Sequence, residues 1–132
     1  MAKILVVDDD PDFVDATKIV LEKNDHEVIS ASSGDTGYQR AEADQPDMVI
    51  LDVMMDTVLD GLSVSQRMHD NPALQNIPII MVTSIANTDY IELFPTDEYI
   101  HISAFLSKPI SAEEFIRQVD KHLPKNIRTS QK

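Results

Sequence analysis

Three apolar runs in this chain stop abruptly at charged residues, and no other feature limits its fold so strongly. Ile4-Leu5-Val6-Val7 runs into Asp8-Asp9-Asp10, Met48-Val49-Ile50-Leu51 into Asp52, and Phe105-Leu106 into Ser107-Lys108-Pro109. An unbroken apolar run of about four to six residues suits a parallel strand buried on both faces, and a polar residue at its end is delivered to the C-terminal edge of the sheet. In an open α/β sheet that edge is where ligands bind. Carboxylates gathered there repel one another unless a cation joins them, and an all-oxygen donor set suits Mg2+. The pattern points to a metal-dependent phosphate site with a lysine opposite.

The intervening segments alternate in step with that reading. Lys3–Asp8 is expected as a first strand, and Asp10 then caps a helix whose first turn holds Pro11 and Asp12, both favoured there. Phe13, Ala16, Thr17, Val20 and Leu21 give it an apolar face to about Lys23. A second strand is expected over His26–Ala31, a helix from Ser33 to about Asp44, and a third strand over Asp47–Asp52. An irregular loop follows, then a helix from about Gly61 to Asp70, ended by Asn71-Pro72. Ile77–Val82 and Ala104–Ser107 read as the last strands, and Ser111 with Glu114 as a capping box for a helix carrying Phe115, Val119 and Leu123 on one face. Strand and helix repeated in this way give a parallel sheet covered on both faces, an α/β doubly wound fold. Residues 1–123 form one domain in this reading, and 124–132 a polar C-terminal tail.

Composition narrows the function. The chain of 132 residues can bury a core of its own, and no apolar stretch approaches the ~18 residues that span a bilayer. Met1-Ala2-Lys3 leads straight into a strand with no leader-like stretch, so a cytoplasmic protein with no membrane association is expected. Without cysteine there are no disulfides or thiolate metal sites. A net charge of −12 argues against direct nucleic-acid binding, which needs clustered Lys and Arg, and favours protein partners. With only Gly34, Gly37 and Gly61, there is no glycine-rich phosphate loop of the Rossmann kind.

Four segments resemble the signatures of response-regulator receiver domains from two-component signalling: Ile4-Leu5-Val6-Val7-Asp8-Asp9-Asp10, Ile50-Leu51-Asp52-Val53-Met54-Met55, Ile79-Ile80-Met81-Val82-Thr83-Ser84 and Phe105-Leu106-Ser107-Lys108-Pro109. They occur in the family's order and the resemblance covers residues 3 to 123. It implies a five-stranded sheet of order 2-1-3-4-5 and a signalling domain rather than an enzyme, one that takes a phosphoryl group from a histidine kinase or phosphotransfer protein. Asp52 would be the phosphoacceptor. Asp8, Asp9, Asp52 and the main-chain carbonyl of Met54 would hold Mg2+, Asp8 acting through water. Thr83 and Lys108 would bind the phosphoryl group, and Thr83 with Phe105 would form the switch that signals to a downstream protein partner.

Plainer readings stand beside these. Taken alone, Thr83 is an ordinary strand residue, Phe105 ordinary core and Lys108 a solvated loop cation; Asp10 is read as a helix cap. His26, His69, His101 and His122 lack ligand spacing and read as surface or strand-edge residues, and Met54, Met55, Met68 and Met81 as core filling. The chain also departs from the family pattern. Asp56 replaces the usual proline four residues after the acceptor, Asp60-Gly61 comes one residue late, and Ser84 follows the threonine where alanine is common. Between Thr83 and Lys108 lie 24 residues with Pro95 among them, so the helix before the fifth strand is expected to be short or irregular. The resemblance implies that the residues two after the acceptor and two after the threonine flank the path of the hydrolytic water; here they are the apolar Met54 and Ile85, which predicts a long-lived phosphorylated form.

Two other functions compete. A haloacid-dehalogenase-like phosphatase would use Asp8 as nucleophile and Asp10 as acid, but it needs a further acidic pair, and after Lys108 only Glu113, Glu114 and Asp120 remain. A receiver-shaped module that binds without phosphorylation would not need its acids, threonine and lysine intact. No effector domain follows Lys132, so the chain is expected to act through protein contacts or phosphotransfer, or to be a piece of something longer.

Overall fold

Each apolar run forms a strand, and each interval with a helical stripe forms a helix. The computed structural model describes residues 2–52, 60–84, 104–108 and 111–123. In chain order the elements are β1 (Lys3–Val7), α1 (Pro11–Lys23), β2 (Glu27–Ala31), α2 (Gly34–Asp44), β3 (Met48–Asp52), α3 (Asp60–Asp70), β4 (Ile79–Ser84), β5 (Ala104–Lys108) and α4 (Ala112–His122). The strands pair in parallel in the order β2-β1-β3-β4-β5. The expected helix between β4 and β5, the loop after Val53 and the tail from Pro124 lie outside the described residues.

Successive side chains of a strand point to opposite faces, so apolar residues at every position fill two cores. Leu5, Val7, Val49, Leu51, Ile79 and Met81 pack with Ala41, Val64 and Met68 of α2 and α3. Ile4, Val6, Met48, Ile50, Ile80 and Val82 pack with Leu21, Phe115 and Val119 of α1 and α4 on the other face. β1 and β3 are buried at nearly every position, as the central strands of such a sheet must be. α2 approaches β1 closely: a Cβ at Gly37 would stand 2.8 Å from both γ-carbons of Val7.

Local rules set most boundaries. Asp10 caps α1 through its side chain, and Pro11 takes the first helical position. Ser33 caps α2 in a full capping box with Thr36, a pairing of two hydroxyls outside the usual Ser-to-Glu pattern. At α4 only the first half of the expected box forms. Ser111 Oγ accepts the Glu114 N–H at 3.1 Å, while the Glu114 carboxylate is taken by Arg117 and by Gln118, the latter at 2.8 Å. β4 starts two residues later than expected and reaches Ser84, because Leu74 to Ile77 close a turn and Pro78 has no N–H for the ladder.

His26 is buried, against the surface or strand-edge position expected for it. α1 closes with Asp25 in the left-handed region at φ 68°, and the His26 N–H donates to Leu21 O at 3.1 Å, which tucks the ring under the start of β1. There Nδ1 accepts the Ala2 N–H at 3.3 Å, and Nε2 lies 4.0 Å from Asp120 Oδ1 of α4. Burial lowers the His26 pKa below 6.5, with Asp120 pulling the other way.

Candidate functional site

The strand order places β1 between β2 and β3, so the connections leaving β1 and β3 run to opposite sides and open a crevice between their C-terminal ends. Register then decides which side chains meet there. Val7 pairs with Leu51, so the next residues, Asp8 and Asp52, lie level on adjacent strands although 44 positions apart in sequence. Asp9 follows on the loop. One carboxylate oxygen from each of Asp8, Asp9 and Asp52 lies within 4.8 Å of the others. Asp8 and Asp52 are 2% and 6% exposed, whereas Asp9 is open to solvent.

That combination is electrostatically unfavourable by itself. Carboxylates at such separation, two of them buried, repel unless a cation lies among them. The donors are all oxygen, as a hard divalent cation requires, and the exposed Asp9 leaves an approach from solvent. Asp8 is fastened on two sides: its N–H donates to Ala31 O at 3.1 Å, and its Oδ1 accepts the Asp10 N–H at 2.9 Å. An open groove of about 810 Å³ runs from Asp8 and Asp9 between α1 and α2, past Asp15 and Arg40. Arg40 is paired with Asp44 at 3.2 Å.

Asp10 does not join the cluster. Its Oδ1 accepts the N–H groups of Asp12 at 3.0 Å and Phe13 at 3.4 Å. The acid of an Asp8-x-Asp10 phosphatase pair is therefore turned into the helix start, and Glu114 is committed to its own helix. Among the described residues the grouped acids are Asp8, Asp9 and Asp52.

The other expected site residues are placed by backbone. Asp52 pairs with Val82, Thr83 with Ser107 and Ser84 with Lys108, so Thr83 and Lys108 stand one and two positions beyond the acid on the same sheet edge. Phe105 pairs with Met81 further back in β5. Met54, with its carbonyl, and Ile85 lie outside the described residues. Sequence reading missed the Asp10 N–H to Asp8 bond, which has no signature beyond the acid run itself.

Residues 4–120 match the response regulator receiver domain family. The chain is 35% identical over 122 residues to the DNA-binding dual master transcriptional regulator RpaA of Synechocystis, covering 90% of this chain and 48% of RpaA. It is 28% identical to the polar-differentiation response regulator DivK of Brucella ovis, covering 91% of this chain and 94% of DivK. The chain thus spans about half the length of one relative and nearly all of the other. Its structure resembles the receiver domain of a sensor histidine kinase from Pseudomonas aeruginosa, solved with magnesium in the active site cleft, at a TM-score of 0.79 and 24% identity, covering 91% and 95% of the two chains.

Proposed function

The chain belongs to the response-regulator receiver-domain family, the phosphoacceptors of two-component signalling, and on that premise we propose that Asp52 is its phosphoacceptor and residues 1–123 its receiver unit. The observation that carries this is the meeting of Asp8, Asp9 and Asp52 within 4.8 Å at the ends of β1 and β3. Of the three, Asp52 is itself the last residue of its strand, β3, which is flanked by β1 and β4. A carboxylate oxygen of Asp52 attacks the phosphorus of a phosphohistidine on a histidine kinase or phosphotransfer protein. The new P–O bond forms as the P–N bond breaks, and the imidazole leaves with the electron pair and takes up a proton.

Receiver domains bind Mg2+ at such an acidic pocket, and the donor set here fits that ion. Asp9 and Asp52 would hold it directly, Asp8 through water, and the Met54 carbonyl would complete the set. Bound there, Mg2+ offsets charge on the transferring phosphoryl oxygens. Lys108 supplies a point charge to the phosphoryl group and Thr83 a hydroxyl, and Thr83 moving toward the phosphate lets Phe105 turn inward. The result is a signalling change passed to a protein partner. A charge of −12 leaves this domain poorly suited to nucleic acid, and the DNA-binding name of RpaA belongs to a protein of which the chain spans 48%. No helix of the described residues is long and apolar enough to cross a membrane.

The test is labelling with a small phosphodonor and Mg2+, followed by mass-spectrometric mapping. Asp52 is expected as the sole modified residue, base-labile as an acyl phosphate, and Asp52→Asn as unlabelled. Full labelling of Asp52→Asn with none in Asp8→Asn would replace this reading with the phosphatase one. In the same preparation Mg2+ is expected to bind weakly, with affinity lost in Asp9→Ala.

A further inference from the structure

The three-residue strap bearing Asp8 and Asp9 is tied at both ends. At the β1 end the Asp8 N–H is bonded to Ala31 O of β2 at 3.1 Å. At the α1 end Asp10 makes three ties. Its Oδ1 receives the N–H groups of Asp12 and Phe13, and its carbonyl receives the Val14 N–H at 3.1 Å. These bonds hold the Asp10 backbone at φ −96° and ψ 104°. In that conformation its own N–H meets Asp8 Oδ1 at 2.9 Å. The helix cap and the orientation of a buried carboxylate in the acid cluster are thus joined through one residue.

We propose that Asp10 is a positioning residue for the cation site: its side-chain oxygen locks the start of α1, and the locked backbone N–H holds the Asp8 carboxylate in the plane from which it serves the cation. This rests on the reading of Asp8 and Asp9 as cation ligands. The function belongs to the oxygen at the cap and not to the charge of Asp10, because Oδ1 accepts the backbone N–H groups and the side chain stands outside the acid cluster. Without that oxygen the first turn of α1 loosens and the Asp10 N–H no longer has a fixed direction. Asp8 then loses a bond that orients it before the cation arrives. Groups that orient a metal ligand commonly change metal affinity by about 10–100-fold, and the effect here falls at the lower end because Asp8 is one of several donors.

The experiment is calorimetric titration with Mg2+ at one ionic strength, using wild type, Asp10→Ala, Asp10→Ser, Asp10→Asn and Asp9→Ala, each confirmed folded by its melt in chelator. Serine and asparagine keep a capping oxygen and drop the charge. Asp10→Ala is expected to bind roughly tenfold more weakly, while Asp10→Ser and Asp10→Asn stay within about twofold of wild type. Hydrogen exchange gives a second readout: the amide at position 10 exchanges faster in Asp10→Ala and stays protected in the other two. Equal weakening in all three Asp10 variants would assign the effect to charge and overturn the proposal. Unchanged binding in Asp10→Ala would overturn it too, with weak binding in Asp9→Ala showing that the ligand assignment survives. Unchanged binding in Asp9→Ala would defeat the ligand assignment itself.

Discussion

Asp8→Asn should make the metal-free protein more stable, although it alters a buried residue of the site. The Asp8 and Asp52 oxygens lie within 4.8 Å, where two unit charges repel by about 3.5 kcal/mol at an effective dielectric constant of about 20 and by about 0.9 kcal/mol in water. Burial of both residues favours the larger figure, and water reaching the cluster past the exposed Asp9 lowers it to about 2 kcal/mol. Asparagine keeps Oδ1 to accept the Asp10 N–H, but that bond changes from charge-assisted to neutral at a cost of about 1 kcal/mol. The net gain is about 1 kcal/mol, or roughly 3–4 °C in Tm for a domain of this size. Asp8→Ala should fall below Asp8→Asn, because it leaves the Asp10 N–H without its acceptor. Thermal melts at neutral pH in chelator measure the difference. Adding Mg2+ at ten times its dissociation constant should stabilise wild type by about 1.4 kcal/mol and the variant by less, which closes or reverses the gap. If Asp8→Asn melts below wild type in chelator while folded normally, the clustered acids are not a stored strain and the argument is wrong.

Two further perturbations probe the frame around the site. Because burial lowers the pKa of His26 in the folded state, the unfolded chain takes up the proton first, and stability is lost as pH falls from 6.5 toward the folded value. Urea midpoints between about pH 7.5 and about pH 5.5 should fall less in His26→Gln than in wild type, and equal falls would remove His26 as the cause. Gly37→Ala should destabilise by about 1–2 kcal/mol net, since the new methyl meets the fully buried Val7 at 2.8 Å and that overpacking, near the upper end of about 1–3 kcal/mol, exceeds the gain in helix propensity of about 1 kcal/mol. Val7→Ala in the same chain should recover part of the loss in a double-mutant cycle by urea unfolding, and a neutral Gly37→Ala would show that α2 can move away from β1 freely.

Wherever information is local, the amino-acid sequence by itself determined the outcome. The apolar runs at Ile4, Met48 and Ile79 could be satisfied only by strands buried on both faces, and Asp10-Pro11 and Asn71-Pro72 start and stop helices by steric and hydrogen-bonding rules acting over a few residues. Four motifs in order were enough to indicate the family that residues 4–120 match. Tertiary structure alone decided what depends on register and on turns. That Asp8 stands level with Asp52 follows from the pairing of Val7 with Leu51, a contact between distant segments that no local preference specifies. Pro11 marks Asp10 locally as the helix cap, but only the folded loop brings a carboxylate oxygen of Asp9 within 4.8 Å of those of Asp8 and Asp52, because that distance depends on the backbone direction between β1 and α1. The burial of His26 was likewise invisible in its spacing: it arises from one left-handed turn at Asp25, and the polar ring is tolerated inside because the Ala2 N–H, brought there by β1, meets its Nδ1.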